Sequence, residues 1–389
     1  MNNRYDVIVV GAGPAGAQAA LHAALQGVSV LILEKDREVG IPVRCAEGVG
    51  GDGLREFVEP SPDFVRAEIN KVRLIAPDNA SVELSVPVAG YVLDRKVFDA
   101  RLCQMAAEAG AHIRTRSHVV DVLRDHDAVT GVVVEQDGGV REIGATIVIG
   151  ADGIESRVGR MAGMHTAMKV KDLESCAQVT LVSNRIQSEF CDFYFGHDVA
   201  PGGYAWVFPK GNNSANVGLG ICGAYAKEKS AKQYLQDFLS RRFPDRADLT
   251  TVCGGVAAAV TLKQITGAGI MLAGDAAHQT NPLTGGGIVN AMKGGRIAGQ
   301  VAGNAILTGD ASAEWLEQYR HEWMDLMGDA HVRYYRLKEA VNKFSDNTFN
   351  KLARVLKQVP PDDLTLKNVF LTALKEQPSL LLDVAKVWW

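Results

Sequence analysis

The stretch Tyr5-Asp6-Val7-Ile8-Val9-Val10-Gly11-Ala12-Gly13-Pro14-Ala15-Gly16 decides the fold. Its apolar run reads as a buried strand, and its Gly-X-Gly-X-X-Gly turn opens a small-residue helix that runs to Gln26. A second strand, Val28 to Leu33, follows and closes on Glu34-Lys35. The glycines have separate tasks: Gly11 permits the tight turn, Gly13 lets backbone approach a pyrophosphate, and Gly16 lets helix pack closely on strand. Phosphate is expected on the helix N-terminus, where unpaired N–H groups and the dipole favour anions. Glu34 lies 18 residues after Gly16, where a carboxylate can accept hydrogen bonds from ribose hydroxyls. Strand, turn, helix and acid in this order predict a dinucleotide site.

Outward from that motif, the 389 residues exceed one simple core and imply two or three domains. With 47% hydrophobic and 22% charged residues, the composition is globular. A formal charge of -4 and the lack of a basic run or aromatic-plus-basic interleaving argue against nucleic acid as a partner. The first strand begins almost at once, which leaves no room for a targeting peptide. No apolar run reaches the roughly 18 residues of a membrane span. The expected setting is therefore cytoplasmic, or at most peripheral to a membrane. Six scattered cysteines form no C-X-X-C pair, so no metal is expected and the thiols should stay reduced.

Asp36 to Gly53 is Gly-rich loop directly after the ribose-binding acid. Lys71–Ala76 and Ser81–Val86 read as a hairpin around Pro77-Asp78-Asn79, and Val97–Ala109 as a helix stopped by Gly110. Short strands follow up to Ile149, then Gly150-Ala151-Asp152-Gly153. From Leu173 to Ile221 strands with polar or aromatic faces indicate a second, largely antiparallel sheet, and Lys227–Phe243 looks helical. The chain returns to a buried strand at Ile270–Ala273, ending in Gly274-Asp275, and is nearly all helical from Gly287. The expected class is mixed α/β: a Rossmann-like domain, an inserted antiparallel-sheet substrate domain and a helical C-terminal region. The expected divisions are 1–68, 91–170 and 268–310 for the cofactor domain, 69–90 and 171–267 for the substrate sheet, and 311–389 for the C-terminal helices.

The second informative motif is Gly274-Asp275-Ala276-Ala277-His278, continued by Pro282-Leu283-Thr284-Gly285-Gly286-Gly287-Ile288. An acid at the end of a buried strand can hold a ribityl hydroxyl. Glycines opening the next helix can bring backbone N–H groups against a flavin ring edge. A plain strand-to-helix turn explains the glycines but not the acid, so FAD is favoured over NAD. His278, after this turn, reads as a helix-start residue with no chemical role.

At these residues the chain resembles the FAD-dependent enzymes related to para-hydroxybenzoate hydroxylase, which share the opening motif, the element seen here as Asp152-Gly153, and Gly274-Asp275. Within that group it is most similar to geranylgeranyl reductases, especially the archaeal digeranylgeranylglycerophospholipid reductases. The resemblance rests on Pro42-Val43-Arg44-Cys45-Ala46-Glu47-Gly48, Tyr91-Val92-Leu93-Asp94-Arg95 with Phe98-Asp99, Pro201 to Pro209, and Pro282 to Ile288. It covers the chain to about Gly299. It implies FAD contacts from Ala15, Glu34, Arg44, Cys45, Ala46, Gly48, Arg95, Val119, Asp275, Gly286, Gly287 and Ile288, alongside Gly11, Gly13 and Gly16. An Arg95 fork suits a diphosphate; as a residue, it could equally be an exposed helix-start partner of Asp94 or Asp99.

Tyr204, Trp206 and Phe208 alternate along one strand and therefore share a face. By periodicity alone such a stripe is core; the resemblance implies that, with Pro209, it lines an isoprenoid pocket. Flavin-dependent halogenases have Trp-X-Trp-X-Ile-Pro here, so Tyr204 and Phe208 argue against halogenation. The implied substrate is an isoprenoid lipid or prenyl diphosphate. An isolated alkene needs a proton source and an apolar cavity besides a hydride, and Cys45 and Glu47 are the candidate catalytic groups. Cys45 could also be simply a packed thiol beside the cofactor. No second dinucleotide motif appears, so the external electron donor, NADPH or a ferredoxin-like carrier, is open. Two other readings stay open: an aromatic monooxygenase, and a non-catalytic prenyl carrier resembling Rab escort proteins. The apolar segment Pro378–Trp389, with terminal tryptophans, is a candidate for peripheral membrane contact.

Overall fold

The computed structural model describes residues 3–359. The membrane-contact segment Pro378–Trp389 lies outside the described residues. The chain divides into two compact units. One is built from Met1–Val43, Arg95–Met168 and Ala257–His331; the other from Arg44–Asp94, Lys169–Val256 and the described residues from Val332 on.

The first unit carries an eight-stranded sheet. Arg4–Val10 is its centre, paired in parallel with Val30–Leu33 on one side and Gly139–Gly150 on the other. His112–Arg114 and Ile270–Leu272 extend it in parallel. His118–Asp125 and Ala128–Gln136 are added as an antiparallel meander on the early half of Gly139–Gly150. Val7, Ile8 and Val9 are fully buried, as expected for a strand covered on both faces. The helix Pro14–Ala24 lies against the helix Ile288–Thr308 through small residues. A side-chain carbon at Gly295 or Gly299 would stand 2.1 or 2.2 Å from the carbonyls of Ala15 and Ala19. The Ala-rich run after Gly16 thus exists to let two backbones approach.

The second unit is a sheet of eight strands in the order Ala247–Ala257, Leu173–Val182, Ser214–Cys222, Tyr204–Gly211, Phe190–Tyr194, Val65–Ile75, Ser81–Leu93 and Gly48–Gly50. Phe190–Tyr194 and Val65–Ile75 run parallel, while the pairs among Leu173–Val182, Ser214–Cys222 and Tyr204–Gly211 are antiparallel. One face is closed by the helix Ala231–Arg242. A capping box between Ser230 and Gln233 starts this helix, and it buries Leu235, Phe238 and Leu239 against Ala177, Val179, Leu181, Val217, Leu219 and Ile221. The other face carries Ile69, Val92, Cys191, Trp206 and Phe208.

The boundaries differ from those read in the sequence. Arg44–Glu68 belongs to the second unit, because Gly48–Gly50 pairs with Ser81–Leu93 and the strand Val65–Ile75 begins before Lys71. The C-terminal helices do not form a region of their own. Ala313–Trp323 belongs to the first unit, whereas Ala353 and Leu356 of Asp346–Leu356 pack on Ala76 and Val82 in the second. An amphipathic helix joins whichever apolar surface lies within reach, and the sequence period does not say which.

Candidate functional site

In the first unit, Gly16 sits so close to the turn that an added side-chain carbon would stand 1.9 Å from the Gly11 carbonyl oxygen. At Gly13 an added side-chain carbon meets nothing within 4 Å among the described residues. The two glycines therefore separate cleanly into one that packs and one that leaves open space beside a helix start. Glu34, at the tip of Val30–Leu33, accepts the Ala12 N–H at 2.8 Å and the Asp36 N–H at 2.9 Å. This fixes the carboxylate beside the glycine turn.

The helices Ala231–Arg242, Ala313–Trp323 and Asp346–Leu356 begin with a serine whose side chain accepts a backbone N–H. Pro14–Ala24 and Ile288–Thr308 begin at Gly13 and Gly287 with no side-chain cap. First-turn N–H groups need partners, and a ligand phosphate or ring oxygen can supply them. Gly286 is exposed and Gly287 half-buried, while Ile288 is buried at the start of the helix.

Asp275 follows the strand Ile270–Leu272 on a short 3-10 turn. It accepts a hydrogen bond from Thr280 Oγ1. Burial pushes its carboxyl up, while Thr280 and the Arg95 charge pull it down. Arg95 grips Asp99 with Nε at 2.7 Å and Nη2 at 2.8 Å. The alternative of an exposed helix-start residue is thus corrected in part: Asp99 is a partner, but the Arg95 side chain is only 15% exposed and its field reaches Asp275. Val119 is buried on His118–Asp125. His278 ends the 3-10 turn with φ 56° rather than starting a helix. These residues fit FAD: an open glycine turn, a ribose-type acid, a half-buried acid for the ribityl chain and a second uncapped helix start.

The second unit holds the other predicted residues. Even-numbered positions of Tyr204–Gly211 share one face: Trp206 and Phe208 are buried, with Tyr204, Phe193, Cys176 and Ala46 packed against their cluster. Ring centroids run 6.0 Å from Tyr204 to Trp206 and 5.3 Å from Phe193 to Phe208. Two of the three facing positions on Ser214–Cys222 are glycines: Gly218 pairs with Trp206 and Gly220 with Tyr204, while Asn216 pairs with Phe208. A side-chain carbon at Gly218 would stand 2.5 Å from the Trp206 ring. Pro209 pairs with Ala215, and Ala215 belongs to the opposite core under Ala231–Arg242. The structure therefore does not bring Pro209 to the aromatic face.

The loop Cys45-Ala46-Glu47 is bonded to that face by side chains. Gln178 Nε2 donates to the Cys45 carbonyl at 2.9 Å, and Gln178 Oε1 accepts the Trp206 indole N–H at 3.0 Å. Asn216 Nδ2 donates to the Ala46 carbonyl at 3.2 Å and also to the Glu47 carboxylate. Thr180 orients Asn216 through its Oδ1 at 2.7 Å. Glu47, with φ 70° and buried, forms an ion pair with Lys210 and accepts the Leu93 N–H on its carbonyl at 2.9 Å. Its own N–H donates to Cys45 Sγ at 3.2 Å. Arg44 is exposed. Sequence reasoning missed Gln178, Lys210 and Asn216. The available signal was a polar residue at the inward period-2 position of an otherwise apolar strand, which must find a partner when buried.

By class, a dinucleotide turn joined to a flavin-type Gly-Asp turn makes this an FAD-dependent oxidoreductase. A model of FAD-dependent oxidoreductases matches residues 6–195, and one of the geranylgeranyl reductase catalytic domain matches residues 172–258. The chain is 44% identical to a digeranylgeranylglycerophospholipid reductase of Methanocella arvoryzae, over 99% of both chains. It is 41% identical to digeranylgeranylglycerophospholipid reductase 2 of Methanococcoides burtonii, over 100% of this chain and 97% of that one. A crystal structure of a geranylgeranyl bacteriochlorophyll reductase-like protein from Thermoplasma acidophilum superposes with TM-score 0.93 at 32% identity, covering 99% of each chain. A flavin-dependent brominase shares the fold at TM-score 0.70 and 18% identity, over 97% of this chain and 99% of that one. The chain belongs to the digeranylgeranylglycerophospholipid reductase family. It is a flavin-dependent oxidoreductase of the geranylgeranyl reductase type.

Proposed function

We propose that this chain saturates the double bonds of geranylgeranyl chains carried by membrane-phospholipid precursors, with the isoprenoid lying on the face of Tyr204, Trp206 and Phe208. The observation that carries this reading is the division of labour in the second sheet. One face is filled by its own helix, and the other combines aromatic rings, a glycine floor and the Cys45 loop. Burying an isoprenoid against such rings stabilises binding through removed apolar surface.

FAD, when bound and reduced, supplies the hydride. On this reading Gly11, Gly13, Gly16, Glu34, Arg95, Asp275, Gly286, Gly287 and Ile288 hold it, with Ala15 and Val119 packing nearby and the Arg44–Gly48 segment contributing as the family resemblance implies. Cys45 is the proton donor. Glu47, engaged by Lys210 and Asn216, keeps the loop on the sheet rather than giving up a proton. Electrons come from outside, from NADPH or a ferredoxin-like carrier. The lipid substrate calls for peripheral contact of a cytoplasmic protein with a membrane surface. Among the described residues no helix is long and apolar enough to cross one.

The test is chemical. FAD-loaded protein reduced with dithionite is given digeranylgeranylglycerophospholipid, and the lipid is read by mass spectrometry. Addition of two hydrogens per double bond is expected. Oxygen uptake with a hydroxylated product would overturn the reading in favour of a monooxygenase.

A further inference from the structure

On the strand Leu173–Val182 the residues facing the aromatic side are Glu174, Cys176, Gln178 and Thr180, because their odd-numbered neighbours Ala177, Val179 and Leu181 fill the opposite core. The strand pairing ranks them in rungs. Gln178, Gly218 and Trp206 form one rung, anchored to the Cys45 carbonyl. Cys176, Gly220 and Tyr204 form the next, and Glu174 lies one rung further, opposite Cys222. Rungs on one face are about 7 Å apart. Glu174 thus stands one rung beyond Cys176 and Tyr204 on the same face, in a row whose next rung is anchored to the Cys45 carbonyl.

The Glu174 carboxyl occupies space left by absent side chains. Its Oε2 lies 3.2 Å from where a side-chain carbon would sit at Gly203 and 4.0 Å from that at Gly220. That oxygen is buried and has no hydrogen-bond partner among the described residues. A buried carboxyl with an unused oxygen is costly unless it is neutral or serves a ligand or a proton transfer.

We propose that Glu174 is the proton reservoir of the reaction, refilling Cys45 along this row after each double bond is saturated. The inference rests on the reductase reading given above. In balance, the Cys45 S–H proton goes to one alkene carbon, where the π pair forms the C–H bond. The hydride supplied by the reduced flavin forms the other C–H bond. The thiolate takes a proton from the Tyr204 hydroxyl as that hydroxyl receives one from the Glu174 carboxyl. A proton taken up from bulk solvent restores the carboxyl, so each double bond saturated consumes one hydride and one solvent proton.

Several charged or titratable groups face Glu174: Asp172 ahead of its strand, Cys176 on it, Tyr204 and Cys222 from neighbouring strands, and Lys338 from the helix Asp329–Val341. Lys338 is tied to Asp172 at 3.1 Å. Burial outweighs the Lys338 charge and, with Asp172 adding to it, pushes the Glu174 carboxyl up to about 8. Burial also raises Cys176 to about 12 and Tyr204 above its ordinary range. A carboxyl held up in this way keeps its proton at neutral pH, where it can give it up to a thiolate formed on the same face. The Tyr204 and Cys176 couplings to Cys45 run along the same row.

The test compares wild type with Glu174→Gln as FAD-loaded protein, using the lipid substrate. In a single turnover the first double bond should be reduced at the wild-type rate. Steady-state saturation should fall by at least about tenfold, the scale of one lost proton-transfer group. An equal fall in both phases, or in neither, overturns the proposal. A second measurement does not depend on the substrate: iodoacetamide alkylation of Cys45, followed by peptide mass spectrometry across pH. Removing a neighbour that becomes negative near pH 8 should lower the pH at which Cys45 reacts, and an unchanged profile overturns the coupling. If wild type saturates no lipid while that profile shifts, the reductase reading fails and the Glu174–Cys45 link stands.

Discussion

The indole N–H of Trp206 donates to Gln178 Oε1 at 3.0 Å, while the other end of the same amide donates to the Cys45 carbonyl at 2.9 Å. One side chain thus sets both the tilt of the central ring of the aromatic face and the position of the loop that carries the thiol. Neither group can shift without breaking a bond to the other's support, so pocket shape and thiol placement are coupled mechanically.

Gln178→Leu should expose that coupling. It removes a donor and an acceptor together and leaves the buried Trp206 N–H without its partner, at a cost of about 1–3 kcal/mol. Flavin affinity should fall less than turnover, because Gly11–Gly16 and Asp275 belong to the other unit and only the Cys45 loop loses its anchor. Urea denaturation reads the stability loss, and lipid assays read the turnover, which should fall. Wild-type turnover in this variant would show that the amide link is structural only.

Glu47 and Lys210 make a second, charged clamp on the same loop. The Lys210 side chain is 16% exposed and that of Glu47 4%, so Glu47→Gln strands a largely buried ammonium and should cost about 3 kcal/mol. Lys210→Met should cost a similar amount. The double variant should cost much less than the sum, since no charge is left behind. If the double variant also recovers lipid turnover, Glu47 acts by holding the loop; if stability returns but activity does not, its carboxyl takes part in the chemistry.

These clamps mark the limit of what the sequence discloses. Gly11, Gly13, Gly16 and Gly274-Asp275 are legible because each answers a local demand of the chain, set within a few residues by turn geometry and a helix start. The alternation of Tyr204, Trp206 and Phe208 is legible for the same reason. Gln178 reaches a carbonyl 133 positions away, and Asn216 reaches Glu47 across 169. No local period carries such a pairing. The division of the chain failed in the same way: Arg44–Glu68 looks like loop continuing from the ribose acid, but strand pairing with Ser81–Leu93 assigns it to the other unit.

Gly13 and Gly16 should respond in opposite ways to the same added methyl. At Gly13 the new carbon meets nothing within 4 Å, whereas at Gly16 it would stand 1.9 Å from the Gly11 carbonyl oxygen. Gly13→Ala should therefore leave the apoprotein's melting temperature near wild type while weakening FAD by at least about tenfold, as a methyl fills the space needed by the pyrophosphate. Gly16→Ala should instead lower the stability of the apoprotein itself. Fluorescence titration with FAD and thermal melts of both apoproteins separate the cases. Equal FAD affinity for Gly13→Ala and wild type would move the phosphate elsewhere.

His331 gives the fold a calculable acid limit. Its ring is buried, with Nε2 3.3 Å from Asn290 Nδ2 and Nδ1 3.2 Å from Thr261 Oγ1. This arrangement uses the neutral ring, and Thr261 also accepts the Trp323 indole N–H at 3.0 Å. Burial lowers the His331 pKa from 6.5 to about 4, with a backbone hydrogen bond to Gln279 opposing the shift. The unfolded chain thus binds this proton more readily than the folded one. The neutral ring's contribution is complete above pH 6.5 and is lost as pH falls from 6.5 toward 4, amounting to about 3 kcal/mol over that window. Above 6.5 the group adds no pH dependence. His331→Gln keeps a donor and an acceptor at the site but cannot titrate, so it should be less stable than wild type at pH 7.5 and lose less on acidification. Urea unfolding from pH 7.5 to 4.5 measures both slopes. Parallel slopes for the two proteins would mean that His331 is not held neutral by the fold.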